Sequence, residues 1–209
     1  MKIVFISDTH GKHKDVKIPE GDILLHAGDV SMKGRSVEVE SFLIWFSNQP
    51  HKYKILIAGN HDWYFESNSE VMLKARIPKN IIYLNDSGCT IEGIHFWGSP
   101  VQPEFGKWAF GRKRGDEIKK HWDFIPKSTD ILITHGPPRG ILDLTLKEGQ
   151  VGCEELLTRV NEIKPKIHVF GHIHESYGVI EKGKTKFINA SLVNYEFILI
   201  NNPIVIDLD

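Results

Sequence analysis

The chain predicts an α/β fold. Short, nearly continuous apolar runs at 2–7, 23–27, 53–58, 130–134 and 166–170 have the pattern of strands covered on both faces. Stretches with helical spacing of apolar residues lie between them, at 36–48, 67–77, 112–122 and 152–163. Each run also stops in a knot of chemistry: Asp8-Thr9-His10-Gly11, Gly28-Asp29, Gly59-Asn60-His61-Asp62, His135-Gly136 and Gly171-His172-Ile173-His174. Strand ends of this kind are where α/β sheets place their sites.

A length of 209 residues suits one domain with a substantial core, so 1–209 is expected to fold as a single domain. Lys and Arg number 26 against 27 Asp and Glu, which leaves no basic footprint for extended nucleic acid or an acidic membrane surface. Cys89 and Cys153 are too few and too far apart for a disulfide framework, and they read as buried small hydrophobes. No charged-then-apolar leader precedes the first strand and no apolar run approaches membrane-spanning length. The expectation is a soluble, cytoplasmic protein.

In chain order, the first strand delivers Asp8 and His10, which extended backbone would point the same way. The second carries His26 inside the run, a hydrogen-bonded core histidine, and ends at Asp29. Val37, Val39, Phe42, Leu43, Trp45 and Phe46 form the apolar face of a helix with Ser36 as N-cap and Pro50 beyond its end. The third strand reaches Gly59, where the chain must turn tightly or approach something closely. A helix over 67–77 is capped near Ser67-Asn68-Ser69 and stopped by Pro78. Runs around Cys89-Thr90-Ile91 and Ile94-His95-Phe96-Trp97 flank Glu92-Gly93, a hairpin turn. Residues 98–111 form a loop rich in Gly, Pro and aromatics that covers either a hydrophobic flank or a substrate pocket. Pro137 and Pro138 fix the loop carrying His135, and His172 and His174 repeat the two-apart spacing of Asp8 and His10. The tail, with turns at Lys182-Gly183-Lys184 and Asn201-Asn202-Pro203, is β-rich.

Gathered together, the strand ends offer two aspartates, an asparagine, four histidines besides His61, and no thiolate. Oxygen with imidazole suits Mn, Fe, Zn, Co or Ni better than Ca, and the lack of sulfur argues against a structural zinc knot. Seven side chains are too many for one ion, and they fit two if one carboxylate spans both. Two cations roughly 3.5–4 Å apart can share a hydroxide and clamp a phosphoryl group.

The order Asp-x-His, Gly-Asp, Gly-Asn-His-Asp, His, Gly-His-x-His, running from residue 8 to 174, resembles the calcineurin-like metallophosphoesterases. Gly98-Ser99-Pro100, Trp108-Ala109-Phe110 and Thr134-His135-Gly136-Pro137-Pro138 further resemble a small single-domain branch, some of whose members lack the first histidine of the last block. His172 is present here, so a complete site is expected. The resemblance implies that Asp8, His10 and His174 hold one divalent transition metal and Asn60, His135 and His172 a second, manganese being favoured, with Asp29 bridging. It also implies a two-sheet sandwich flanked by helices in four layers. His61, left without a metal, becomes a general acid for the leaving alkoxide, with Asp62 holding its ring. Asn60, His61, Trp108 and Arg139 are the candidate substrate contacts. Arg112 and Arg114 could touch phosphate, and Trp97, like Trp108, could stack on a base.

The expected activity is hydrolysis of small phosphodiesters such as cyclic nucleotides. A phosphomonoesterase or pyrophosphohydrolase is the alternative within the same chemistry. A nucleotide-binding or scaffold protein of the same fold, like the retromer subunit, is the alternative outside it. No membrane partner is expected, and the sequence leaves the oligomeric state open.

Overall fold

The apolar run at the N-terminus becomes β1 (Lys2–Ile6), and its alternate residues face two different cores. Val4 and Ile6 pack with Phe42, Leu43 and Phe46 of α1 (Ser36–Ser47). Ile3 and Phe5 pack with Ile131, Ile133, Ile167 and Val169 of a second sheet. A strand buried on both faces needs apolar residues at every position, which is why the run is continuous. The same division holds in β2 (Ile23–Ala27) and β3 (Tyr53–Ile57): Leu24 and Leu56 face α1, and Ile23, Leu25, Ile55 and Ile57 face the second sheet.

Residues 1–208 are described by a computed structural model. The first sheet is completed by β4 (Ile82–Tyr83) and, from the far end of the chain, β15 (Ile204–Asp207), in the order β15-β1-β2-β3-β4. The second contains β5 (Ser87–Ile91), β6 (Ile94–Ser99), β9 (Ile131–Thr134), β12 (Ile167–Phe170), β13 (Gly178–Lys182) and β14 (Thr185–Asn189), in the order β13-β14-β12-β9-β6-β5. Two small ribbons pair β7 (Gln102–Pro103) with β8 (Gly111–Arg112) and β10 (Leu144–Thr145) with β11 (Gly149–Gln150). On the outer face of the second sheet, Leu132 and Phe170 meet Ile118 and Trp122 of α4 (Asp116–Asp123) and Leu156 and Val160 of α5 (Glu154–Ile163). Helix, sheet, sheet and helix therefore form four layers. Strands β1, β2 and β3 run parallel, as do β6, β9 and β12, so each sheet sends a set of carboxyl ends to one edge.

Several boundaries differ from the sequence reading. Arg35, not Ser36, is the N-cap of α1, because the Glu38 carboxylate accepts the Arg35 and Met32 N–H groups and closes the end itself. The segment after the third strand holds two helices, α2 (Trp63–Ser67), which the sequence reading lacked, and α3 (Glu70–Arg76), whose cap falls on Ser69 within the expected Ser67-Asn68-Ser69, its hydroxyl accepting the Met72 N–H. Arg112 lies in β8, and α4 waits for Gly115 at φ +84°. Glu92 and Gly93 are both left-handed, at φ +49° and +83°, as the tight turn between β5 and β6 requires. Cys89 and Cys153 are free thiols. Burial raises both, Cys89 to about 11 and Cys153 to about 12, which leaves them inert. No helix among the described residues is long and apolar enough to cross a membrane.

Candidate metal centre

The five knots meet, but not by strand alternation. Asp8, His10, Asp29 and His172 have φ of +55°, +43°, +58° and +67°, so left-handed turns and not extended backbone aim their side chains. Such residues are uncommon outside glycine, and they persist where the surroundings over-determine them. Here the Asp8 N–H donates to Gly28 O (2.9 Å), that of His10 to Asp29 O (3.0 Å) and that of Gly11 to Val30 O (2.9 Å). Gly59 and Gly171 are needed for close approach: a Cβ on the first would strike Asp29 Oδ1, and on the second Asp8 Oδ2.

Asp29 sits at the middle of the cluster. Its Oδ2 lies 3.6 Å from His10 Nε2 on one side and 3.4 Å from His135 Nε2 on the other. Its Oδ1 accepts the His61 backbone N–H at 2.8 Å. Asp8 Oδ1 is 3.5 Å from His174 Nε2 and 3.9 Å from His10 Nε2, and those two nitrogens are 3.3 Å apart. Asn60 Oδ1 is 2.8 Å from His135 Nε2. Donor atoms of Asp8, His10 and His174 converge in one group and those of Asp29, His135 and His172 in another, each within 4.8 Å. All seven residues expected as ligands are thus brought together. His61 enters as well, grouped with His10 and Asp29, its Nε2 4.0 Å from Asp29 Oδ2.

Backbone carbonyls turn the rings. Nδ1–H of His10 donates to Ser31 O (3.2 Å), of His61 to Met32 O (2.7 Å), of His135 to Ala27 O (3.0 Å) and of His174 to Asn194 O (3.1 Å). A carbonyl can only accept, so each Nδ1 carries a proton and each Nε2 is the ring atom turned to the cluster, the orientation that metal ligation needs.

The electrostatics point the same way. Burial would raise the Asp8 carboxyl, but the hydrogen bond and charge of His174 outweigh it and hold the group well below its usual range. Asp29 is lowered likewise, burial being overcome by His135. Burial pushes His10 down to about 4 and His172 to about 3. His135 is raised to about 9 because Asp29 and Asp8 outweigh its burial, and Asp8 raises His174 in the same manner. Buried ionised carboxylates facing imidazole nitrogens fit divalent transition metals, and cations compete with the protons on His135 and His174 for the same atoms.

One expectation needs correction. Asp62 does not hold the His61 ring: its buried carboxylate accepts the N–H groups of Gly59 (2.9 Å), Val30 (3.1 Å) and Ser31 (3.0 Å) and the Ser31 hydroxyl (2.7 Å). Met32 O holds the ring instead. Arg139 pairs with Glu154 of α5 at 3.3 Å, and Arg114 pairs with the same carboxylate. Arg112 is paired with Glu66 at 3.2 Å. Trp108 is 37% exposed but lays one face on His61, ring centroids 4.2 Å apart, so at most its other face is open to a base. His26 behaves as expected, its Nε2 3.0 Å from Thr9 Oγ1. The residues missed in the sequence are Met32 and Asn194, which act through main-chain carbonyls that any residue carries, and Phe197; Phe105 lies in the aromatic loop at 98–111 read as the cover of a flank or a pocket. Phe105 lies 5.2 Å from the His172 ring and Phe197 4.8 Å from that of His10.

Comparison with known proteins fits this geometry. The family model of the calcineurin-like phosphoesterases matches residues 1–176. Human and mouse metallophosphoesterase domain-containing protein 1 are each 42% identical over 230 residues, covering 99% of this chain and 71% of the relative. The solved structure of phosphopantetheinyl hydrolase from Mycobacterium tuberculosis superimposes with a TM-score of 0.65 at 14% identity, over 94% of this chain and 90% of that one. That of TT1561 from Thermus thermophilus gives 0.60 at 13% identity over 90% and 88%. At such identities these two likenesses speak for the fold alone. The family match and the relatives carry more: the chain belongs to the calcineurin-like phosphoesterase family, whose hydrolases typically bind divalent metals.

Proposed function

We propose that this single-domain, cytoplasmic chain is a binuclear phosphodiesterase acting on small or cyclic nucleotide diesters, with manganese the favoured metal. The observation that carries the reading is the position of Asp29 Oδ2 between His10 Nε2 (3.6 Å) and His135 Nε2 (3.4 Å), where one carboxylate serves both halves of the cluster. Asp8, His10 and His174 would hold one ion and Asn60, His135 and His172 the other. Bound there, the ions would supply charge stabilisation to the phosphoryl group and acidify a water. Asn60 presents its amide beside the cluster, with Oδ1 toward His135. His61 carries the proton for the leaving oxygen on Nε2, while Nδ1–H to Met32 O and the ring of Trp108 fix its orientation.

Charge supports the diester over the monoester. A monoester dianion rewards extra cations near the metals. Arg112, Arg114 and Arg139 are all engaged by glutamates, and Lys12 Nζ donates to Phe197 O at 2.6 Å. The complete donor set argues against a scaffold, which has no use for seven converging ligands. In a manganese-supplemented screen, bis-p-nitrophenyl phosphate and cyclic nucleotides are expected to give higher kcat/KM than p-nitrophenyl phosphate. A better monoester at matched pH and metal would replace this reading by the phosphatase or pyrophosphohydrolase one, and no turnover of any ester would leave the scaffold.

A further inference from the structure

Two phenylalanines from separate parts of the chain border the cluster. Phe105 comes from the loop between β7 and β8, is 44% exposed, and lies 5.2 Å from the His172 ring. Phe197 comes from the turn after β14 and packs edge-on against His10 (4.8 Å) and His174 (5.2 Å). Neither is free to wander. The loop of Phe105 is closed by hydrogen bonds from Gln102 N–H to Phe110 O (3.2 Å) and Glu104 N–H to Arg112 O (2.8 Å), and pinned to the metal motif by Ala109 N–H to Asn60 O (3.1 Å). The Phe197 turn is held by its N–H to Asn194 O (2.8 Å), the carbonyl that also fixes His174, and by Lys12 on its own carbonyl.

Phe197 has φ +59°, a conformation that a bulky side chain adopts only against a steric cost. The turn sets this φ: Asn194 N–H to Ile198 O (3.0 Å) and Phe197 N–H to Asn194 O (2.8 Å) close a tight hairpin between Val193 and Leu199. The ring it carries belongs to none of the three apolar clusters, and its neighbours Glu196 and Ile198 are exposed. The turn thus sets the Phe197 ring against His10 and His174 and not in a core. The exposed ring of Phe105 likewise lies beside the cluster without completing any of those cores.

We propose that Phe105 and Phe197, with Trp108 behind His61, form an aromatic rim that selects phosphoesters carrying a flat ring, aryl or nucleobase, on an arm next to phosphorus. The proposal rests on the phosphodiesterase reading and adds to it the residues that choose the arm. A ring seated on this rim is desolvated against aromatic edges and faces, whereas a methyl arm leaves the rim wet.

The test compares phenyl p-nitrophenyl phosphate with methyl p-nitrophenyl phosphate, which share a leaving group and differ in the retained arm. With each kcat/KM divided by the uncatalysed rate, the phenyl ester is expected to be favoured at least about tenfold, in line with one aromatic contact plus its buried area. Phe105→Ala and Phe197→Gly should each cut that preference by about fivefold to tenfold. Glycine accepts the positive φ at 197, so failure to fold is not the expected outcome there. A wild-type preference near one overturns the rim while the diesterase reading stands. Equal losses on both esters in both variants also overturn it, since residues that only position histidines slow the two alike. If neither ester turns over, the diesterase reading fails, and the rim is judged by calorimetry with manganese-loaded protein. Phenylphosphonate binding about tenfold tighter than methylphosphonate supports the rim, and equal affinities overturn it.

Discussion

Asp62 accepts hydrogen bonds from the backbone of Val30, Ser31 and Gly59 and from the Ser31 hydroxyl, so one carboxylate ties the turn after β2 to the turn after β3. Those turns carry Asp29 and Asn60. Burial and the charge of Asp29 raise Asp62 to about 6 despite the hydrogen bonds that favour its ionised form. Asp62→Ala would strand three buried N–H groups and a hydroxyl, at roughly 1–3 kcal/mol for each group left unpaired. The expected result is a loss of at least about 3 kcal/mol in denaturant unfolding together with weaker metal retention. Unchanged stability with a lowered turnover alone would return Asp62 to a catalytic role. Its neighbour His61 is expected to behave differently. His61→Asn should keep the metal content of the wild type and lose about 10²- to 10⁴-fold in rate on esters with poor leaving groups. The loss should shrink for p-nitrophenolate, which needs little protonation, and equal losses on both would assign His61 to positioning.

At the scale of elements, the site depends on where strands stop. β1 and β12 end beside each other in space, and the His172 N–H reaches both oxygens of Asp8 at 3.1 Å across that gap. Gly171 makes the approach possible, since a Cβ there would strike the Asp8 carboxylate and the Ser7 hydroxyl. Gly171→Ala is therefore expected to displace Asp8 and empty the half of the site built on Asp8, His10 and His174. Elemental analysis of protein purified without chelator should give two transition-metal ions per wild-type chain and one or fewer per variant. A variant that keeps the full content would show that Asp8 is not a ligand. The β7–β8 ribbon works in the same way from the other side, since its tie to Asn60 O makes the aromatic loop part of the site's wall.

For the whole molecule, pH and metal should act on stability together. His168 lies fully buried in β12, and its Nε2 is 2.8 Å from Thr134 Oγ1. That hydroxyl spends its own proton on Gly136 O (2.7 Å), so His168 must donate from Nε2, and its Nδ1 has no partner among the described residues. Protonation would put a charge on Nδ1 in an apolar setting, and burial pushes the ring down to about 3 from the ordinary 6.5. Between those values the unfolded chain binds the proton and the folded one does not, so stability falls as pH drops from 6.5 toward 3 and is fully present above 6.5. The slope is about 1.4 kcal/mol per pH unit for one such group. His26, also lowered to about 3 by burial, adds in the same direction. His168→Gln, neutral throughout, should flatten the pH dependence of chelated protein measured by thermal unfolding, and an unchanged slope would refute the assignment. Removing metal at neutral pH should lower Tm, since ions that bind only the folded state stabilise it by mass action.

The class of fold, and the residues that meet where the strands stop, were legible in the sequence. Five apolar runs ending in Asp, Asn and His are local statements: a buried strand must be apolar throughout, and a glycine must stand where backbone meets a carboxylate. That is why residues 8, 10, 29, 60, 135, 172 and 174 stand out in the sequence as a group, and why His26 could be set aside as core. Relations between segments far apart in the chain, by contrast, carry no mark in the sequence. The rings of His10, His61, His135 and His174 are aimed by the main-chain carbonyls of Ser31, Met32, Ala27 and Asn194, atoms every residue possesses and no pattern marks. Asp62 looked like the partner of the histidine beside it because adjacency is all a sequence shows, and a left-handed turn after β2 offered it better donors. Phe197 lay in a tail read only as β-rich, and its place against His10 follows from β14 carrying the chain back across the second sheet to the edge where both sheets end.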